Sequence, residues 1–217
     1  MSRPENALFP AFDPPAPPAL SAQEGVRLVR IALRAILSQW IQDLPARDVP
    51  VEGGLLAPAG AFVTVYRGQD LRGCLGLVGA KEPLWKTVEE LAVSSASSDP
   101  RFEAVLEDEW EELEVEVSVL GPLAPLPLTD PENAVRLVRV GEHGLLLRHR
   151  GRSGLLLPQV PGKYGWNARQ FLEEVCHKAG LPAGAWRERG AAVSAFRCSI
   201  FHGSSSLLGT GLGRGGG

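Results

Sequence analysis

The run Leu71-Arg72-Gly73-Cys74-Leu75-Gly76 holds a guanidinium, a thiol and two glycines together. Alternate residues of a strand share a face, so Arg72 and Cys74 are expected side by side, about 6.6 Å apart along the chain, with Leu71, Leu75 and Leu77 on the other face. A nearby cation favours the thiolate, which is the nucleophilic and metal-binding form. Cys74 is therefore the first candidate for a catalytic residue, with Arg72 as its activator or as a clamp for a carboxylate or phosphate. Gly73 and Gly76 carry no side chain to pack and leave room for a ligand against the backbone. The plain alternative makes Cys74 a small buried hydrophobe and Arg72 an ion-pair partner of Glu114 or Glu116.

Other residues extend the candidate site. His143, just before a strand, is the histidine best placed to serve a thiol as base, since nucleophile and base need only meet in space. Glu114 and Glu116 share a strand face, as acid/base carboxylates do and as solvated strand faces also do. Asp99 and Arg101 in SSDPRF either pair locally or line a cleft mouth beside Cys74. Gln159 in LLPQV and Trp166 in YGWN are polar and aromatic turn residues of the kind that line ligand pockets. Cys176 falls in the apolar stripe of a predicted helix and Cys198 alternates in phase with Phe196 and Ile200, so both read as structural. No His/Cys cluster has zinc spacing, and neither a phosphate-binding GxxxxGK[ST] loop nor a GxSxG elbow is present, so no metal or cofactor is expected.

The 217 residues suffice for one large domain or a compact pair, and a net charge of -3 gives no basic field to attract nucleic acid or an anionic membrane. No apolar run approaches the roughly 20 residues that span a bilayer, and the N-terminus lacks the apolar stretch of a signal peptide, so a cytoplasmic protein is expected. Three cysteines without CxxC spacing are expected to be reduced. Residues 1–20 are Pro-rich and 203–217 Gly/Ser-rich, which predicts flexible tails around a folded body at 21–202.

The elements that must position these residues are well marked. Ser21 and Glu24 have capping-box spacing ahead of an apolar stripe from Val26 to Ile41, which predicts a helix. AFVTVYRGQDLRGCLGLV predicts a hairpin turning at Gly68–Asp70 and carrying the Cys74 run. Pro83 opens a second helix that ends before Asp99-Pro100. Leu113–Val119 alternates as a half-buried strand, PENAVRLV suggests a short helix, and HGLLLRHRGRSGLLLPQV a second hairpin. Asn167 caps a helix ending at Gly180, and one last strand is expected over about 193–201. Strands joined by short turns predict an α+β fold with a mostly antiparallel sheet, and GPLAPLPLTDP is a candidate separator of a smaller lobe.

At these residues the chain resembles the AMMECR family. GAFVTVYRGQDLRGCLG, SSASSDPRF and LEVEVSVLGPLAPL match its signatures, and HGLLL, LLPQV, GW, FLEEVCHKAGLP and AW continue the correspondence in order, over nearly all of residues 21–202. Leu75 stands where the family usually has isoleucine, and Gln159 where it often has glutamate, which counts against an acid/base role there. The resemblance implies two unequal lobes with the LRGC signature lining a cleft between them, and a domain whose biochemical activity is not established. It also implies Memo-like and radical-SAM partners, with this chain as a component A-like member of such a set, either as a thiol-based enzyme or as a non-catalytic module binding a small ligand or partner peptide.

Overall fold

The structure is a computed structural model that describes residues 12–209. It divides into two units, one formed by residues 17–120 with the chain from 199 onward, the other by residues up to 16 with 121–198. The first contains Cys74 and the second His143, and they are called by those residues below.

The Cys74 unit is built on a four-stranded sheet in the order β2-β1-β3-β8. Its strands are β1 (Ala61–Arg67), β2 (Asp70–Leu77), β3 (Leu113–Leu120) and β8 (Cys198–Ser204, from its second residue on). Helices α1 (Ala22–Leu37) and α2 (Leu84–Ser97) complete it. The expected capping box forms: Ser21 Oγ accepts from Glu24 N–H at 3.2 Å, and Glu24 Oε2 accepts from Ser21 N–H at 2.8 Å. Glu24 Oε1 also takes the Gly54 N–H at 2.6 Å, tying the helix start to a distant loop. α1 stops four residues before Ile41, where Trp40 and Ile41 turn back onto the Leu37 carbonyl yet still pack on the core. Val63 and Val65 of β1, Val115 and Val117 of β3, and Leu28, Leu33 and Ile36 of α1 form one apolar core with Val88 and Ala92 of α2. Thr64 and Glu116 alternate with these valines and so point from the opposite face of the sheet.

The His143 unit has its own four-stranded sheet, in the order β4-β7-β5-β6. These strands are β4 (Ala124–Pro125), β7 (Ala192–Phe196), β5 (Gly144–His149) and β6 (Arg152–Leu156), accompanied by α3 (Pro131–Leu137), α4 (Val160–Tyr164) and α5 (Ala168–Lys178). α5 is capped by Asn167 and Gln170, and its stripe Phe171, Leu172, Val175 and Cys176 is buried. All the strand pairs with a described register in both units are antiparallel, in keeping with the expected α+β class.

Three expectations about extent are corrected. The single last strand is two, because the chain breaks at Arg197 and β7 and β8 belong to different sheets. The Pro-rich leader is held in place where described: Asp13 pairs with Arg139 and Arg197, and Phe12 packs edge-on to His143. The C-terminal tail likewise begins as structure, since β8 runs to Ser204, Leu208 enters the core, and Ser205 Oγ donates to the Glu111 carbonyl at 3.0 Å. The rest of both expected tails, 1–11 and 210–217, lies outside the described residues.

Candidate functional site around Cys74

β2 is an edge strand, paired with β1 alone. Its register against β1 slips between Val65 and Tyr66, which face Gly73 and Leu71, so Arg72 is an extra residue without an opposite partner. A bulge of this kind re-aims a side chain. Arg72 accordingly does not serve the thiol: its Nε and Nη2 donate to Glu109 Oε1 and Oε2 at 3.0 and 2.9 Å. Glu109, on the turn Glu107–Glu112, also accepts from Leu106 N–H at 2.8 Å and pairs with Arg67. Burial pushes the Glu109 carboxyl up, but these donors, Arg72 foremost, outweigh it and hold it below the usual range. The expected ion pair of Arg72 thus exists, with Glu109 in place of Glu114 or Glu116.

The glycines are also explained from within. A β-carbon on Gly73 would lie 2.8 Å from the carbonyl carbon of Ser95 in α2 and closer still to its oxygen. On Gly76 it would lie 2.6 Å from the Ala61 carbonyl oxygen and run into the Phe62 ring. The room expected for a ligand at these two positions is occupied by α2 and by Phe62.

Cys74 itself sits in a polar row. Cys74, Thr64 and Glu116 face one another across β2, β1 and β3, register neighbours on one side of the sheet. Thr64 Oγ1 donates to Cys74 Sγ at 3.3 Å. Glu116 is buried, accepts from Ser118 Oγ at 3.4 Å through Oε1, and has His202 Nε2 of β8 at 3.7 Å from Oε2. Glu114, by contrast, is exposed, so the two carboxylates sit in different surroundings.

Asp99 and Arg101 hold the backbone of the same cysteine. Asp99 Oδ2 accepts the Cys74 N–H at 2.9 Å, and Arg101 Nη2 donates to the Cys74 carbonyl at 2.9 Å. The two side chains pair at 2.6 Å, and Arg101 keeps the Asp99 carboxyl far below the usual carboxylate range despite its burial. The cation that acts on the thiol is therefore Arg101. Burial is the largest influence on that thiol and pushes it up, Glu116 and Asp99 add to this, and Thr64 and Arg101 only partly oppose them. The balance of these influences is upward, the opposite of the lowering expected from a cation at Arg72.

The structure thus brings Cys74, Asp99, Arg101 and Glu116 together in one unit. Thr64 and His202 leave no mark in the sequence: strand register puts Thr64 between Cys74 and Glu116, and the placing of β8 beside β3 brings His202 to Glu116.

The remaining candidates belong to the His143 unit. His143 is fully buried, with Arg139 N–H 3.2 Å from Nδ1 and Arg139 Nε 3.3 Å from Nε2. Burial, aided by Arg139, lowers its basicity. Trp166 stacks on Tyr164, with ring centroids 4.7 Å apart. Gln159 precedes α4 at its N-cap. Among the described residues no group of three or more His, Cys, Asp or Glu side chains is placed to hold a metal ion, and no helix is long and apolar enough to cross a membrane.

Residues 29–201 match the family model AMMECR1. A protein of Aeropyrum pernix is 42% identical over 87% of this chain and 82% of its own length. One of Methanopyrus kandleri is 38% identical over 84% and 89%. The crystal structure of an uncharacterized protein from Pyrococcus horikoshii superposes with a TM-score of 0.76 at 39% identity, covering 84% of this chain and 93% of that one.

Proposed function

The chain belongs to the AMMECR1 family, and from that premise we propose that it works as the thiol-bearing member of a set with Memo-like and radical-SAM partners. Its chemical group is Cys74, used from the protonated state. A neutral thiol beside a hydroxyl and a buried carboxylate suits proton transfer and addition to a small electrophile. In the covalent step the thiol adds across a polarised double bond: a sulfur–carbon bond forms on the electrophilic carbon, the π-electron pair moves onto the attached heteroatom, and the S–H bond breaks as the proton passes to that heteroatom. Thr64 steadies the developing thiolate through its hydrogen bond, and Arg101 supplies the opposing positive charge.

The observation that carries this reading is the Thr64 hydroxyl donating to Cys74 Sγ within a row that ends in buried Glu116. An inert core cysteine sits among hydrocarbon, as Cys176 does among Phe171, Leu172 and Val175. The second reading, non-catalytic binding of a small ligand or partner peptide, draws support from the raised thiol.

Native and intact-mass spectrometry of the protein expressed with its chromosomal neighbours separates the two. A mass added covalently at Cys74 and lost in Cys74→Ser is the expected result. A non-covalent mass retained in Cys74→Ser favours the binding module, and no added mass in either form counts against both.

A further inference from the structure

We infer that Asp99 and Arg101 are positioning residues for Cys74, standing in for the neighbouring strand that edge strand β2 lacks on its open side. In an antiparallel ladder one residue gives its N–H and its C=O to the same neighbour. On β2, Cys74 turns both groups away from β1, and they meet a carboxylate and a guanidinium in the places where a strand's carbonyl and amide would lie.

The two side chains are locked to each other as well as to Cys74. Arg101 Nε and its backbone N–H both donate to Asp99 Oδ1, at 2.9 and 3.2 Å, while Nη2 bridges Asp99 Oδ2 and the Cys74 carbonyl. The Asp99 side chain is only 1% exposed and Arg101 is 48% exposed, so the acceptor is a fixed post and the donor a strap laid over it from the solvent side. One residue further along β2, Ser95 Oγ of α2 accepts the Leu75 N–H at 3.0 Å and donates to the Val63 carbonyl at 2.9 Å. The strand is thus pinned at two successive residues by the end of α2 and the loop that follows it.

This arrangement has two consequences. It closes an edge that would otherwise template pairing with another chain. It also holds the thiol against Thr64 and sets which charges face it: Asp99 and Arg101 from the loop, Glu116 from β3 with His202 of β8 beyond it, and not Arg72, which is turned to Glu109. The role of the clamp in catalysis rests on the thiol reading above, whereas its geometry stands apart from it.

The test is amide hydrogen exchange by NMR on the full chain, with melting temperature as the control for folding. In Asp99→Ala the Cys74 amide should exchange at least about tenfold faster, the loss expected for a hydrogen bond to a charged group. In Asp99→Asn, which keeps an acceptor, it should stay protected. An unchanged Cys74 amide in folded Asp99→Ala overturns the proposal.

Should Asp99→Ala fail to fold, Arg101→Lys and Arg101→Gln decide through the pH dependence of Cys74 alkylation by iodoacetamide. The midpoint should shift in both variants, because lysine keeps the charge but cannot bridge Asp99 and the Cys74 carbonyl as the guanidinium does. A wild-type midpoint in Arg101→Lys overturns the proposal. Absence of a Cys74 adduct in the expression experiment, with the clamp intact by exchange, would remove the catalytic role and leave the positioning role standing.

Discussion

Replacing Gly73 by alanine tests whether the glycine of the LRGC run makes room for α2. The added β-carbon would meet backbone: it would lie 2.8 Å from the Ser95 carbonyl carbon, against 3.4–4 Å for ordinary contact and a floor of 3.0 Å for real β-carbons. A flexible side chain yields at little cost, but Ser95 sits inside a helix whose Ser95 Oγ also bridges β1 and β2. Either α2 or β2 must move. Overpacking of this kind costs about 1–3 kcal/mol, and the rigid neighbour argues for the upper end. Restricting the unfolded chain returns about 0.4–1 kcal/mol, for a net loss of about 2 kcal/mol. For a chain of this size that lowers the melting temperature by about 4–8 °C. Differential scanning calorimetry measures it, with Gly79→Ala as the control, since nothing lies within 4 Å of a β-carbon there and the change should fall within about 0.5 kcal/mol. A Gly73→Ala protein that melts with the wild type would refute the reasoning and return the glycine to ligand approach.

Arg72→Ala should destabilise the protein by about 2 kcal/mol in urea unfolding, because Glu109 stays buried with a partner lost, while Cys74 alkylation changes by less than about twofold. Glu116→Gln removes a negative charge that opposes the thiolate, so Cys74 should alkylate about two to three times faster at pH 8. Asp99 and Glu109 have folded-state carboxyls below their unfolded values, so their stabilisation is present above about pH 4 and is lost as pH falls. The melting temperature should decline below that point, and less steeply in Asp99→Asn. Cys176, fully buried in α5, should resist alkylation until the His143 unit unfolds.

Much of this was legible in the chain. The capping residues of α1 and α5 and the turn between β1 and β2 are local chemistry, so Ser21, Asn167 and Gly68 announced their elements directly. What stayed hidden depends on partners far away in sequence. The period-2 reading assumes an unbroken ladder, and the bulge at Arg72 interrupts it and sends the guanidinium to Glu109, 37 residues on. Two glycines within a strand signal a close approach to the backbone, but whether helix or ligand approaches is decided by where α2 packs. Apolar alternation also continues across Arg197, so the exchange of one sheet for another there leaves no mark in the pattern.

The central claim is that Cys74 is a functional thiol held neutral by burial and Glu116, with Arg101 as its nearby cation. A pH titration of the Cys74 13Cβ resonance in the wild type, Glu116→Gln and Arg72→Ala tests it most directly. The wild-type midpoint should lie above the ordinary thiol value of about 8.5, move down in Glu116→Gln and stay in place in Arg72→Ala. A wild-type midpoint below neutrality that rises in Arg72→Ala would contradict the account.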